Sequence, residues 1–236
     1  MKSIVITLAN DKITLPASHN RALQGVIYRL LSSEPDYSDA LHSSDQYKFF
    51  TYSKLSGKTK HIGRDVVFSG PVSFEVRSAV DQTIDILSEA LYNFPLVTLG
   101  HRKMPVIFTE TRSMHIYTDS VVAAMITPIT VHETLEDGKT LYFRYDEDMF
   151  YERIRENALR KYEEYTGDAL SYDAFDIQRY AVRESDKNVS TFKNIYITGW
   201  NGLYRLSGDP DLLEFLYYTG IGGRNSQGYG MFKLFR

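Results

Sequence analysis

Gly220-Ile-Gly-Gly-Arg-Asn-Ser-Gln-Gly-Tyr-Gly-Met-Phe-Lys-Leu-Phe-Arg236 is the last stretch of this 236-residue sequence, and five of its 15 glycines fall between Gly220 and Gly230. Glycine is required where a backbone takes positive φ or lies close against another group. A crowded glycine loop with its peptide N–H groups turned inward can cradle an anion, and Arg224, Asn225, Ser226 and Gln227 add donors at the tip. In isolation the same run also reads as a flexible tail. Its flanks narrow the choice. Asp209-Pro210-Asp211 starts a helix with cap, N1 proline and favourable dipole charge in place, and that helix runs to about Tyr218 and stops at Gly220. The strand Tyr229–Phe235 follows. A Walker loop would need Gly-Lys-Ser/Thr leading into a helix, and a dinucleotide fingerprint also leads into a helix. Here the helix precedes and a strand follows, so a polymer phosphate backbone remains as the ligand.

Reading outward, the rest of the chain repeats strand and helix signals. Ile4–Leu8 is a β-branched strand, and a helix over about 19–32 has Leu23, Val26, Ile27, Leu30 and Leu31 at three- and four-residue intervals. Pro35 and Asp36 open a shorter helix ending near His42. Lys48–Ser53 reads as a strand, with a polar loop through Arg64 and then two strands or one hairpin, Asp65–Phe68 and Val72–Arg77. Ser78 is placed to cap a helix with Val80, Ile84, Leu87, Leu91 and Phe94 on its apolar face. Strands at 96–99 and 104–109 complete a β-α-β-β-α-β order, the ferredoxin-like arrangement. Strand candidates at 122–131, 140–145, 175–184 and 191–205, with a helix over 147–165 (Phe150, Ile154, Ala158, Tyr162), repeat that rhythm. The expectation is an α+β chain of two tandem ferredoxin-like domains, 1–119 and 120–236.

Composition is that of a soluble globular protein, with 43% hydrophobic and 24% charged residues and no apolar run near the roughly 20 residues of a membrane span. Met1–Ala9 reads as a strand rather than a signal peptide. The absence of cysteine excludes disulfides, zinc ribbons and thiol catalysis, and fits a cytoplasmic protein. Net charge is −3, but residues 146–186 carry twelve acidic and six basic residues, so the remainder is positive. A localised basic face is therefore compatible with an acidic chain.

The six histidines (His19, His42, His61, His101, His115, His132) show no metal-ligand spacing, and no Gly-x-Ser-x-Gly elbow marks a serine hydrolase. No metal or cofactor is expected. Tyr28, His42 and Lys48 together hold the groups for metal-free RNA cleavage by the RNA's own 2′-hydroxyl. Histidine titrates near neutrality, lysine stabilises a phosphorane's charge, and tyrosine positions or deprotonates a hydroxyl. On residue type alone His19 competes with His42, and the stronger reading of either is a surface or capping residue.

With both ends in view the chain resembles, over essentially its full length, the Cas-six family of CRISPR repeat-processing endoribonucleases in the repeat-associated (RAMP) superfamily. Gly220-x-Gly222-x5-Gly228-Tyr-Gly230 matches that family's C-terminal glycine motif in every glycine, Leu23–Tyr28 resembles its first-helix segment, and His42–Ser53 resembles the segment with its histidine and lysine. The resemblance implies RNA held along the cleft and inter-domain face of the two ferredoxin-like domains. It also implies metal-independent cleavage within each CRISPR repeat, leaving a 5′-hydroxyl and a 2′,3′-cyclic phosphate. By matching position Tyr28 would be general base or 2′-hydroxyl positioner, His42 general acid, and Lys48 the stabiliser of phosphate charge. Gly220, Gly222, Gly223, Arg224, Asn225, Ser226, Gln227, Gly228 and Gly230 would grip RNA, and His19 would be an RNA contact or a helix-start residue. CRISPR repeat RNA is the expected partner of a monomer or homodimer, together with other effector-complex subunits. A non-catalytic repeat-binding member of the superfamily is the rival reading.

Overall fold

Alternating apolar residues in the first half of the chain form a sheet backed by helices. The computed structural model describes residues 1–43, 47–192 and 195–235, with backbone only at Ala40, His42 and Ser43. The elements of this half are β1 (Lys2–Leu8), β2 (Lys12–Pro16), α1 (Asn20–Leu31), α2 (Pro35–Ser43), β3 (Phe50–Tyr52), β4 (Ser56–Ile62), β5 (Asp65–Ser78), α3 (Asp81–Asn93), β6 (Leu96–Leu99) and β7 (Arg102–Arg112). Their sheet runs β2-β5-β1-β7-β6, with β3 and β4 also paired to β5. Within it, β3-β5-β1-β7 is the ferredoxin-like strand order. Leu23, Val26, Ile27 and Leu31 of α1 and Ile84, Leu87 and Leu91 of α3 bury their apolar stripes in one core with β1 and β5.

The second half comprises β8 (Ser120–Met125), β9 (His132–Thr134), β10 (Thr140–Tyr142), α4 (Asp148–Thr166), β11 (Phe175–Ala181), β12 (Lys187–Phe192), β13 (Ile195–Trp200), β14 (Leu203–Gly208), α5 (Pro210–Thr219) and β15 (Phe232–Leu234). Its sheet order, β11-β14-β8-β15, repeats the permutation of the first half. Phe150, Ile154 and Ala158 of α4 and Leu212, Leu213, Phe215 and Leu216 of α5 cover it. Two α+β ferredoxin-like units therefore lie in tandem. Among the described residues no helix is long and apolar enough to cross a membrane.

Local departures from the sequence expectations have local causes. The segment expected as a polar loop before Arg64 contains β4, which forms a hairpin with β5 around Gly63 at φ +60°. All seven β4 residues are solvent-exposed, so no apolar alternation announces the strand. Asp65–Phe68 and Val72–Arg77 are one 14-residue strand rather than two, running through Gly70 at φ +75°. The Asn10 side-chain amide donates to the Phe68 and Gly70 carbonyls at 3.3 and 3.1 Å and satisfies the bend. The 191–205 strand is broken between β13 and β14 by Gly202 at φ +103°. Val80, not Ser78, holds the N-cap position of α3, and the Ser78 hydroxyl accepts from the Val80 N–H at 3.1 Å. At α5 the expected cap is present: Asp209 Oδ1 accepts from Asp211 N at 2.8 Å.

Candidate active site

Asn20, Gln24 and Tyr28 stand four residues apart on α1 and so share one stripe of the helix. The Asn20 amide donates to the Gln227 and Gly228 carbonyls at 3.2 and 3.0 Å, and Gln24 donates to the Ser226 carbonyl at 2.8 Å. The glycine loop is thus clamped along the first half of α1, and Tyr28 is the next residue on the stripe. About 200 residues apart in sequence, the two motifs adjoin in space. Tyr28 packs edge-on to Phe50, 6.1 Å between ring centroids, and burial raises its phenol above the ordinary value.

Lys48 enters from the other side. Its ammonium donates to the Leu41 carbonyl in the last turn of α2, the turn that carries His42. The His42 side chain lies outside the described residues. Tyr47 anchors this segment to α4: its hydroxyl accepts from Asn157 at 3.1 Å and Arg160 at 2.9 Å, and its N–H donates to Glu164 at 2.9 Å. Phe49, wedged between Tyr165 and Phe215, takes φ +42°, a strained conformation for a bulky residue immediately after Lys48.

The loop itself is packed, not loose. A Cβ at Gly230 would lie 2.0 Å from the Ile221 carbonyl, at Gly228 2.6 Å from the Tyr52 ring, and at Gly222 2.8 Å from the Thr130 carbonyl. All three take positive φ. The N–H groups of Gly220, Ile221, Gly223, Gln227, Gly228 and Gly230 donate to protein carbonyls. An anion at this loop is therefore attracted chiefly by side chains rather than by those peptide N–H groups. Asn225 turns inward, its amide donating to the Ile221 and Tyr229 carbonyls at 3.2 and 3.1 Å. Beneath it Lys161 of α4, only 1% exposed, donates to the Gly220 carbonyl at 2.5 Å and to Asn225 Oδ1 at 3.2 Å. Burial pushes that ammonium down to about 7.

Between the loop and the 47–50 segment lies a cavity of about 310 Å³ lined by Lys48, Lys161, Arg224, Asn157 and Ser226 among others. Among the described residues three cations and no carboxylate face it. In a chain of net charge −3 this is a localised basic site, suited to a phosphate diester. His19 is elsewhere. It holds the N-cap position of α1, is 5% exposed, and uses both ring nitrogens inside the first unit: Nδ1 bonds the Pro16 carbonyl at 3.1 Å and Nε2 accepts from Leu55 N at 3.3 Å. Of the two roles expected for it, this geometry supports the helix start. Among the described residues no group of three or more His, Asp or Glu side chains is placed to hold a metal ion.

Sequence reasoning missed Lys161, Tyr47 and Asn157. Lys161 carried a signal, a charged residue three positions after Ala158 on the stripe Phe150-Ile154-Ala158. The other two look like ordinary surface residues.

Tandem ferredoxin-like units place the chain in the RAMP-type fold class. Residues 14–109 match the model of the CRISPR-associated protein Cas6 N-terminal domain, and residues 109–234 match that of the CRISPR-associated protein Cas6 C-terminal domain. The chain belongs to the Cas6 family. It is 25% identical to "CRISPR-associated endoribonuclease Cas6 1" of Methanocaldococcus jannaschii, covering 97% of this chain and 91% of that protein. It is 26% identical to "CRISPR-associated endoribonuclease Cas6" of Pyrococcus furiosus, covering 99% and 90%. Among solved structures, a Cas6-related protein from Pyrococcus furiosus superposes with TM-score 0.87 at 22% identity, over 100% of this chain and 98% of that one. One described as an RAMP protein binding different RNA substrates gives 0.87 at 23%, with complete coverage of both.

Proposed function

We propose that this protein is an endoribonuclease that cuts precursor CRISPR RNA within the repeat, by attack of the RNA's own 2′-hydroxyl and without a metal ion. The carrying observation is the cavity in which Lys48, Lys161 and Arg224, with no carboxylate among the described residues, meet the glycine loop one helical turn from Tyr28. The names of the curated relatives support the same activity.

In this reading the scissile phosphate sits at Lys48. The 2′-oxygen bonds to phosphorus while the bond from phosphorus to the 5′-oxygen breaks, leaving a 2′,3′-cyclic phosphate and a 5′-hydroxyl. Tyr28, kept protonated by burial, positions the 2′-hydroxyl by a hydrogen bond, and the proton departs to water. His42 gives a proton to the departing 5′-oxygen, and Lys48 stabilises the charge on the phosphorane oxygens. Such fixed charge in a site partly closed to water acts more strongly than in bulk solvent.

The test is cleavage of a repeat RNA in EDTA. His42→Ala is expected to slow cleavage about 10²–10⁴-fold, the usual worth of a general acid or base, with RNA affinity retained. Undiminished cleavage would remove His42 from the mechanism. Tight binding with no cleavage by the unaltered protein would instead make it a non-catalytic repeat-binding member of the family.

A further inference from the structure

We propose that the cavity on the far side of Gly222-Gly223 is a nucleobase pocket, which takes the base of an unpaired RNA nucleotide whose phosphate lies in the basic cavity. This rests on the assignment of that basic cavity to RNA phosphate. The second cavity, about 750 Å³, opens between α4, the segment entering β9 and the glycine loop. It shares Gly222, Gly223 and Asn157 with the basic cavity, so a single nucleotide can straddle the two.

The two cavities differ in charge. Glu133, Glu156 and Glu163 face the larger one, against Arg153 and Arg160. Arg153 is already paired, 3.1 Å from Glu156 and 3.6 Å from Glu133. A phosphate would be repelled there. A neutral ligand with donors and acceptors on one edge is not, and that describes a base.

Three buried polar atoms on the cavity's lining residues have no partner among the described residues: His132 Nδ1, Asn157 Oδ1 and Arg153 Nε. Burial and the neighbouring Arg224 hold His132 down to about 4, so its ring is neutral at physiological pH and offers one donor and one acceptor. The ring also explains Gly223, whose φ is not positive. A Cβ there would stand 3.2 Å from His132 Cε1, against the pocket wall. Tyr172, half exposed, offers an aromatic face at the cavity edge.

The experiment scans a repeat RNA, transcribed from the CRISPR array of the source organism and carrying a 2′-deoxyribose at the cleaved linkage, with single abasic substitutions. Fluorescence anisotropy reads affinity. Loss of one base–protein stacking contact corresponds to about 5–150-fold in affinity. One position beside the cleaved phosphate should lose at least about 5-fold in the unaltered protein, and His132→Ala should erase that penalty while leaving those at other positions unchanged. Tyr172→Ala, which removes a half-exposed side chain at the cavity edge and is checked for folding by circular dichroism, gives the same reading if His132→Ala does not fold. Retention of every abasic penalty in both variants overturns the pocket while leaving the cleavage assignment intact. Failure of the unmodified RNA to bind overturns both.

Discussion

Lys161 stands on the buried stripe of α4, where periodicity alone would place an apolar side chain. Its ammonium has carbonyl partners, the Gly220 backbone and Asn225, and among the described residues no carboxylate. Desolvation therefore dominates and holds it near 7 rather than the ordinary 10.5. The sign of the linkage follows. Between about 7 and 10.5 the unfolded chain binds the proton that the folded chain has lost, so this residue makes stability rise with pH across that window. A bound phosphate has the opposite preference, because it favours the charged ammonium. RNA affinity, measured in the His42→Ala background so that cleavage and imidazole titration do not intrude, should fall as pH rises through about 7. In Lys161→Met that fall should vanish. An identical pH profile in both proteins would show that Lys161 does not sense the ligand. Lys48 is a simpler case. Lys48→Met should lower cleavage by about 10²-fold or more with a smaller loss of affinity, and equal losses in both would reduce it to a binding residue.

At the scale of elements, the glycine loop is shaped by its neighbours. Positive φ at Gly228, the Tyr52 ring 2.6 Å from its missing Cβ, and the Asn20 clamp all belong to the protein. Gly228→Val is therefore expected to lower the melting temperature as well as RNA affinity. The left-handed conformation alone costs a branched residue about 1–2 kcal/mol, before the clash with Tyr52. An unchanged melting curve with weakened binding would mean that the glycine serves the RNA and not the fold. Gln24→Ala removes one clamp on the Ser226 carbonyl, worth about 1 kcal/mol. Since Tyr28 follows on the same stripe, this variant should reduce cleavage more than affinity in single-turnover assays.

At the scale of the whole molecule, the two units are tied by a buried cation. Arg77 of β5, 3% exposed, pairs with Glu75 at 2.7 Å. It also donates to the Phe232 carbonyl at 2.6 Å and lies 3.8 Å from the centroid of the Tyr217 ring. Removing it leaves a half-buried carboxylate and an unpaired carbonyl, a loss that stays below the about 3–5 kcal/mol of a fully buried pair because water reaches Glu75. Arg77→Ala should lower the denaturation midpoint accordingly and weaken RNA binding, because the basic cavity is built from both units. A denaturation curve that stays in place would mean that the units hold together without it.

What could be read from residues alone was what local physics dictates: apolar periodicity for the helices, the Asp209 cap, the tandem β-α-β-β-α-β order and the place of the glycine loop between the last helix and the last strand. The all-exposed strand β4 was silent because no apolar alternation marks it, and Gly70 imitated a turn because the bend is satisfied from afar by Asn10. The candidate site was partly visible as residue types, Tyr28 and Lys48, while the His42 side chain lies outside the described residues. The assembly of the site was not. Contacts between residues some 200 positions apart, such as Gln24 with Ser226, leave no periodic signal in either segment. Burial of Lys161 depends on what packs over it. Only the tertiary structure decided that the loop's glycines fit the protein around them and that an acidic chain gathers three basic side chains, and among the described residues no carboxylate, around one cavity, because charge and burial are set by neighbours in space and not by neighbours in sequence.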